Sequence, residues 1–288
     1  MLGQKGRGEW SLVFFTLLTQ MAVGSFSVWG LMWVFASSDI SIPVNFSQSI
    51  LGATLLLLVL GGMFAFWHLG NPFRAGYALS NLRSSWLSRE GLLSGCFGLF
   101  VFWMFSAQNI NISKIILTIT CGFLLVLSIS RLYMLRTVPV WNNLGTPATF
   151  FCSTVLLGVI VNASVWMTYL INSSDTLLNE IRSDPAIQVF GLMILIFVFL
   201  QLMMNAFTLI SLNSKGGVAV ASVRYLWMNL RVLLIVRWLT AICGMILLLF
   251  GGFLLSFAMY FYISFALVWI SELLGRFLFY RSYRREGF

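Results

Sequence analysis

Apolar stretches of roughly transmembrane length follow one another along this chain, separated by short polar breaks. About 20 mostly apolar residues span the hydrocarbon core of a bilayer, so the pattern predicts transmembrane helices at about 12–35, 48–69, 91–107, 114–135, 148–171, 187–211, 232–251 and 255–278. The fold class is therefore all-α, a polytopic membrane protein with a bundle of eight transmembrane helices in a single domain over residues 1–288. The third run is the shortest. The boundary between the last two falls at Gly251-Gly252, because the run from Leu233 to Tyr280 is too long for one helix. Two breaks are longer than the others, Gly70 to Glu90 and Asn213 to Arg231, and both read as loops. The apolar stretch from Trp10 to Phe35 is too long for the core of a cleavable signal peptide and reads as the first span.

Composition agrees with the pattern. Hydrophobic residues make up 60% of the sequence and charged residues 9%, far below the roughly 25% charged residues of soluble domains. The net charge of +9 is not a nucleic-acid signal here, because most of the basic residues sit in the breaks between spans. With eight crossings both termini share one side. That side holds 15 of the 17 basic residues, or 12 once Arg131, Arg237 and Arg276 are discounted as lying within spans, and the other only Lys114 and Arg182. By the positive-inside rule this points to cytoplasmic termini. The four cysteines (Cys96, Cys121, Cys152 and Cys243) stand alone in apolar runs, without the paired spacing of an iron–sulfur or zinc site.

His68 is the only histidine in the sequence, and it ends the second apolar run in Phe66-Trp67-His68-Leu69-Gly70-Asn71-Pro72-Phe73-Arg74. One imidazole cannot form a bis-histidine haem. At a membrane boundary it suits proton-coupled chemistry. The alternative is an interfacial histidine that only satisfies backbone groups.

Three segments carry a likeness to a known family. They are His68-Leu69-Gly70-Asn71-Pro72-Phe73-Arg74-Ala75 continuing to Ser88-Arg89-Glu90, then Thr137-Val138-Pro139-Val140-Trp141 with Thr146 beyond it, and Glu272-Leu273-Leu274-Gly275-Arg276 with Phe279-Tyr280. Glu9-Trp10 before the first span, and Thr16, Gln20 and Gly24 within it, fit as well. The protein resembles the membrane anchor subunit of bacterial dimethyl sulfoxide reductases, collinearly over nearly its whole length. The resemblance implies an inner-membrane protein that holds no haem, iron–sulfur cluster or metal and binds menaquinol. It implies two partners, an iron–sulfur electron-transfer subunit and a molybdopterin catalytic subunit. The family's quinol-site histidine and downstream acid fall on His68 and Glu90. Export of the catalytic subunits in members of that family would put the His68 loop outside, against the charge count, so both orientations stand.

The remaining candidates each carry two readings. Glu90 takes or relays a proton of quinol, or is an N-terminal helix acid favoured by the macrodipole. Arg74 holds a quinone oxygen or a partner, or meets lipid phosphate. Trp141 walls a quinone ring, or belongs to the aromatic belt at the lipid interface. Glu272 and Arg276, spaced i,i+4, form a structural ion pair with Arg131 as a second cation, or a proton path. Gly61-Gly62 allows a close helix approach or opens a slot for an isoprenoid tail. Competing functions are an anchor of the polysulfide reductase type, a secondary transporter, and a passive structural anchor.

Overall fold

The computed structural model describes residues 2–35, 42–68, 81–107, 110–173, 184–214, 216–254 and 258–283. Among them are nine α-helices: α1 (Leu2–Phe35), α2 (Val44–His68), α3 (Trp86–Ala107), α4 (Ile112–Tyr133), α5 (Gly145–Ser173), α6 (Pro185–Ser214), α7 (Gly217–Asn229), α8 (Arg231–Ile246) and α9 (Ala258–Arg281). A π-helical segment, Leu247–Leu254, extends α8. All but α7 are long and apolar enough to cross a membrane.

The first helix is the centre of the bundle. Its apolar stretch is 83% buried, against 22% for that of α2. It packs on α2, α4, α5 and α9. Its buried face carries Thr16, Thr19, Gln20, Ser25 and Ser27 beside large apolar groups such as Phe26 and Trp29. Apolar outer surfaces are solvated by lipid tails, so small and polar residues concentrate where helices meet. Gly61 fits that rule: a Cβ there would sit 3.1 Å from Thr19 Oγ1, whereas one on Gly62 would meet nothing within 4 Å.

The connections are set by local chemistry. Ser85 Oγ accepts the Ser88 N–H at 3.3 Å and starts α3. Asn111 Oδ1 accepts the Lys114 N–H at 2.9 Å and starts α4. Asp184 Oδ1 accepts from Ala186 and Ile187 N–H, at 2.9 and 3.0 Å, and from the Trp166 indole at 3.0 Å. It thereby caps α6 and ties it to the end of α5. Gly216 and Gly217 turn the backbone from α6 into α7 with φ of +73° and +56°, a conformation that residues with a Cβ rarely adopt.

Eight crossings bring the starts of α1, α3, α5 and α8 and the ends of α2, α4, α6 and α9 to one face, here called the terminal face. Ring contacts show it directly: Trp10 stacks on Phe277 at 4.6 Å, and Phe14 on Phe64 at 5.0 Å.

Three expectations change. The third span starts at Trp86 rather than 91, because Ser85 caps it upstream. The break from Asn213 to Arg231 contains helix α7, too short to span. Gly251-Gly252 is no turn but lies inside the π-helical segment, and the connection to α9 falls at 255–257, outside the described residues.

Candidate functional site

His68 is the last residue of α2, so its backbone stands at the terminal face. Its side chain and all of 69–80, including Arg74, lie outside the described residues. Glu90 is described. It sits in the second turn of α3 and heads the stripe Glu90, Phe97, Val101 and Met104 that faces the core. Its carboxylate is buried, and Oε2 has no hydrogen-bond partner among the described residues. No acid occupies the first turn of α3, so Glu90 is not a helix-start acid serving the macrodipole.

Near Glu90 is a buried aromatic group. Tyr133, at the end of α4, and Tyr280, on the last turn of α9, have ring centroids 5.2 Å apart, and both lie within electrostatic range of Glu90. Tyr280 Oη donates to Thr16 Oγ1 at 3.4 Å. Trp141 is buried here rather than in an interfacial belt. Its indole N–H donates to the Phe279 carbonyl at 2.8 Å, and its ring stacks on Phe279 at 5.4 Å. Both contacts fasten the Val138–Trp141 turn to the end of α9, so the structure gives Trp141 a packing role.

Deeper in the bundle the expected Glu272–Arg276 pair is not formed. Both are buried, but each reaches another helix. Glu272 Oε2 accepts from Ser153 Oγ on α5 at 2.5 Å and from Gln201 Nε2 on α6 at 3.0 Å. Arg276 donates to Gln20 Oε1 on α1 at 2.7 Å and lies 3.6 Å over the Phe150 ring. Neighbouring helices offer better-aligned partners than the helix's own i,i+4 position. Arg131 is exposed and plays no part. The second cation is Arg237 of α8, which donates to Asn205 Oδ1 at 3.0 Å and lines the same small cavity as Glu272 and Arg276. Gln201 and Arg237 were legible as polar residues within apolar runs, the usual mark of a bundle-facing position.

This cluster reads as a five-helix clasp. Glu272→Ala would leave two buried guanidiniums beside no carboxylate, a loss of about 3–5 kcal/mol. The expected result is a marked drop in thermal midpoint for the detergent-solubilised protein, and an unchanged midpoint would remove Glu272 from the clasp. Glu272→Gln, which keeps an oxygen acceptor, should lose less.

Comparison with known proteins bears on what this face serves. Residues 3–281 match the family described as DMSO reductase anchor subunit (DmsC). The YnfH subunit of an anaerobic dimethyl sulfoxide reductase, from Escherichia coli strain K12, is 30% identical over 169 residues, covering 56% of this protein and 58% of that one. The C subunit of anaerobic dimethyl sulfoxide reductase from Haemophilus influenzae is 27% identical over 164 residues, covering 54% and 58%. The corresponding C subunit from E. coli K12 is 27% identical over 165 residues, covering 54% and 57%. The alignments thus span somewhat over half the length of these relatives. With a family match over nearly all its residues and eight membrane-length helices, the protein belongs to the DMSO reductase anchor subunit family.

Proposed function

We propose that this protein oxidises menaquinol at its terminal face and passes the electrons directly to an iron–sulfur subunit, which feeds a molybdopterin catalytic subunit, in a bacterial inner membrane. The observation that carries the reading is Glu90: a buried carboxylate with one oxygen that has no partner among the described residues, on the face where α2 ends in His68. Burying an unsatisfied carboxylate is costly, and a protein retains one where chemistry uses it.

Oxidation of one menaquinol to menaquinone releases two electrons and two protons, one from each hydroxyl. The imidazole of His68 accepts one proton, and the Glu90 carboxylate takes the other or relays it to water. The quinol enters sideways from the bilayer, with its head group at the interface. The electrons go to the docked iron–sulfur subunit because a lone histidine cannot ligate a bis-histidine haem here.

Binding of a fluorescent quinol-site inhibitor to membranes carrying the intact complex tests the assignment. Saturable binding is expected with the wild-type protein and its loss with His68→Ala. Undiminished binding in the variant would move the site elsewhere in the bundle. Absence of binding in both would leave a passive anchor.

A further inference from the structure

A large cavity lies away from Glu90, between α6, α7 and α8. It measures about 760 Å³, within the roughly 300–1,000 Å³ typical of ligand pockets. Each wall is one helical stripe: Leu209 and Asn213 on α6, Val223 and Trp227 on α7, Trp238 and Ile242 on α8. The lining is almost wholly apolar. It opens sideways out of the bundle, where Ile210 and Leu239 are exposed.

Its dimensions match one leaflet. From Arg231, which starts α8, to Ile242, at the deep end of the groove, the helix rises about 16 Å at ~1.5 Å per residue. That is about half of a hydrocarbon core of roughly 30 Å. At the shallow end Arg224 lines the opening. Arg224 and Arg231 are exposed and have no hydrogen-bond or ion-pair partner among the described residues. The sequence offers no nearby compensation: from residue 185 to 271 there is no Asp or Glu, although Lys215, Arg224, Arg231 and Arg237 lie in that stretch. The anion that balances the rim must come from outside these helices.

We infer that this groove binds one anionic phospholipid, with an acyl tail along α6 and α8 and its phosphate at Arg224 and Arg231. An isoprenoid tail would suit the apolar walls, but its neutral quinol head has no use for the exposed guanidinium of Arg224 at the opening or that of Arg231 one turn before Leu234 of the α8 wall. A partner subunit would suit the rim, but not a lateral groove running one leaflet deep. The short helix α7 makes the site, since it roofs the space between two spans.

The test is exchange of spin-labelled lipids on the intact complex in phosphatidylcholine nanodiscs, comparing labelled phosphatidylglycerol with labelled phosphatidylcholine. Saturable preference for phosphatidylglycerol is expected with the wild-type protein. In Arg224→Gln/Arg231→Gln, with each basic group contributing about five-fold at a membrane surface, the affinity should fall about 25-fold. Both residues are exposed, so folding should be unaffected. Equal preference in the double variant would overturn the inference. So would displacement of the bound lipid by excess menaquinone, which would make the groove a tail channel. Release of partner subunits with no change in lipid binding would also overturn it, making the rim a protein contact. None of these outcomes depends on Glu90 or on quinol oxidation.

Discussion

Glu90→Gln is expected to stop quinol-linked turnover while leaving the anchor folded and its partners bound. The amide keeps the shape of the carboxyl group but cannot accept a proton at the pH of the membrane. Positioned general bases contribute typically about 10²–10⁴ in rate, and the loss should fall in that range. Activity with an artificial donor that bypasses the anchor should be unchanged. Stability gives an independent readout. The Oε2 atom of Glu90 is buried and has no partner among the described residues, so a neutral amide costs no more to bury than the carboxylate it replaces. The thermal midpoint should therefore hold or rise as turnover falls. A fall in both would indicate a structural acid, held by contacts that the amide cannot make. Full turnover in the variant would remove Glu90 from the proton route.

The eight spans were legible because the bilayer imposes one rule on every segment that crosses it. The parts that were not legible obey local or tertiary rules instead. Helix α7 carries Arg224 and exposed Trp227 and Met228, and at 13 residues it resembles a polar connection more than a span. The early start of α3 depends on one Ser85 hydrogen bond that hydropathy does not register. Glu272 and Arg276 are buried in the bundle, as ionisable groups in a span avoid lipid. Their partners could not be read, because Ser153, Gln201 and Gln20 come from three other helices. Spacing within one helix suggested the i,i+4 pair, and tertiary geometry overrode it. Tyr133 gave no signal at all. Its value lies in ending α4 beside Tyr280 and within range of Glu90, a meeting of three helices.

Gly158→Leu is expected to leave almost no assembled anchor, and Gly24→Leu should behave alike. These two glycines are where α1 and α5 touch. A Cβ on Gly158 would lie 2.6 Å from Gly24 Cα and still closer to the Gly24 carbonyl group. A Cβ on Gly24 would run into the Thr154 carbonyl oxygen and sit 3.0 Å from Gly158 Cα. The obstacles are backbone, so no rotamer relieves them and the helix axes must part. The contact is flanked by hydrogen bonds that fix its spacing: Gln20 Nε2 to the Phe150 carbonyl at 3.0 Å, and Asn162 Nδ2 to the Ser25 carbonyl at 2.9 Å. Separation breaks both, and each buried polar group left unsatisfied costs about 1–3 kcal/mol. Gln20 also accepts the Arg276 bond, so damage at the crossing passes to the clasp on α9. Gly62→Ala is the matched control, since nothing lies within 4 Å of its Cβ position. It should fold normally, with a small gain from the roughly 0.8–1.0 kcal/mol helix preference of Ala over Gly. The readout is the yield and thermal midpoint of the anchor purified with its partners. A Gly158→Leu variant recovered at wild-type yield and midpoint would show that α1 and α5 do not cross at these glycines.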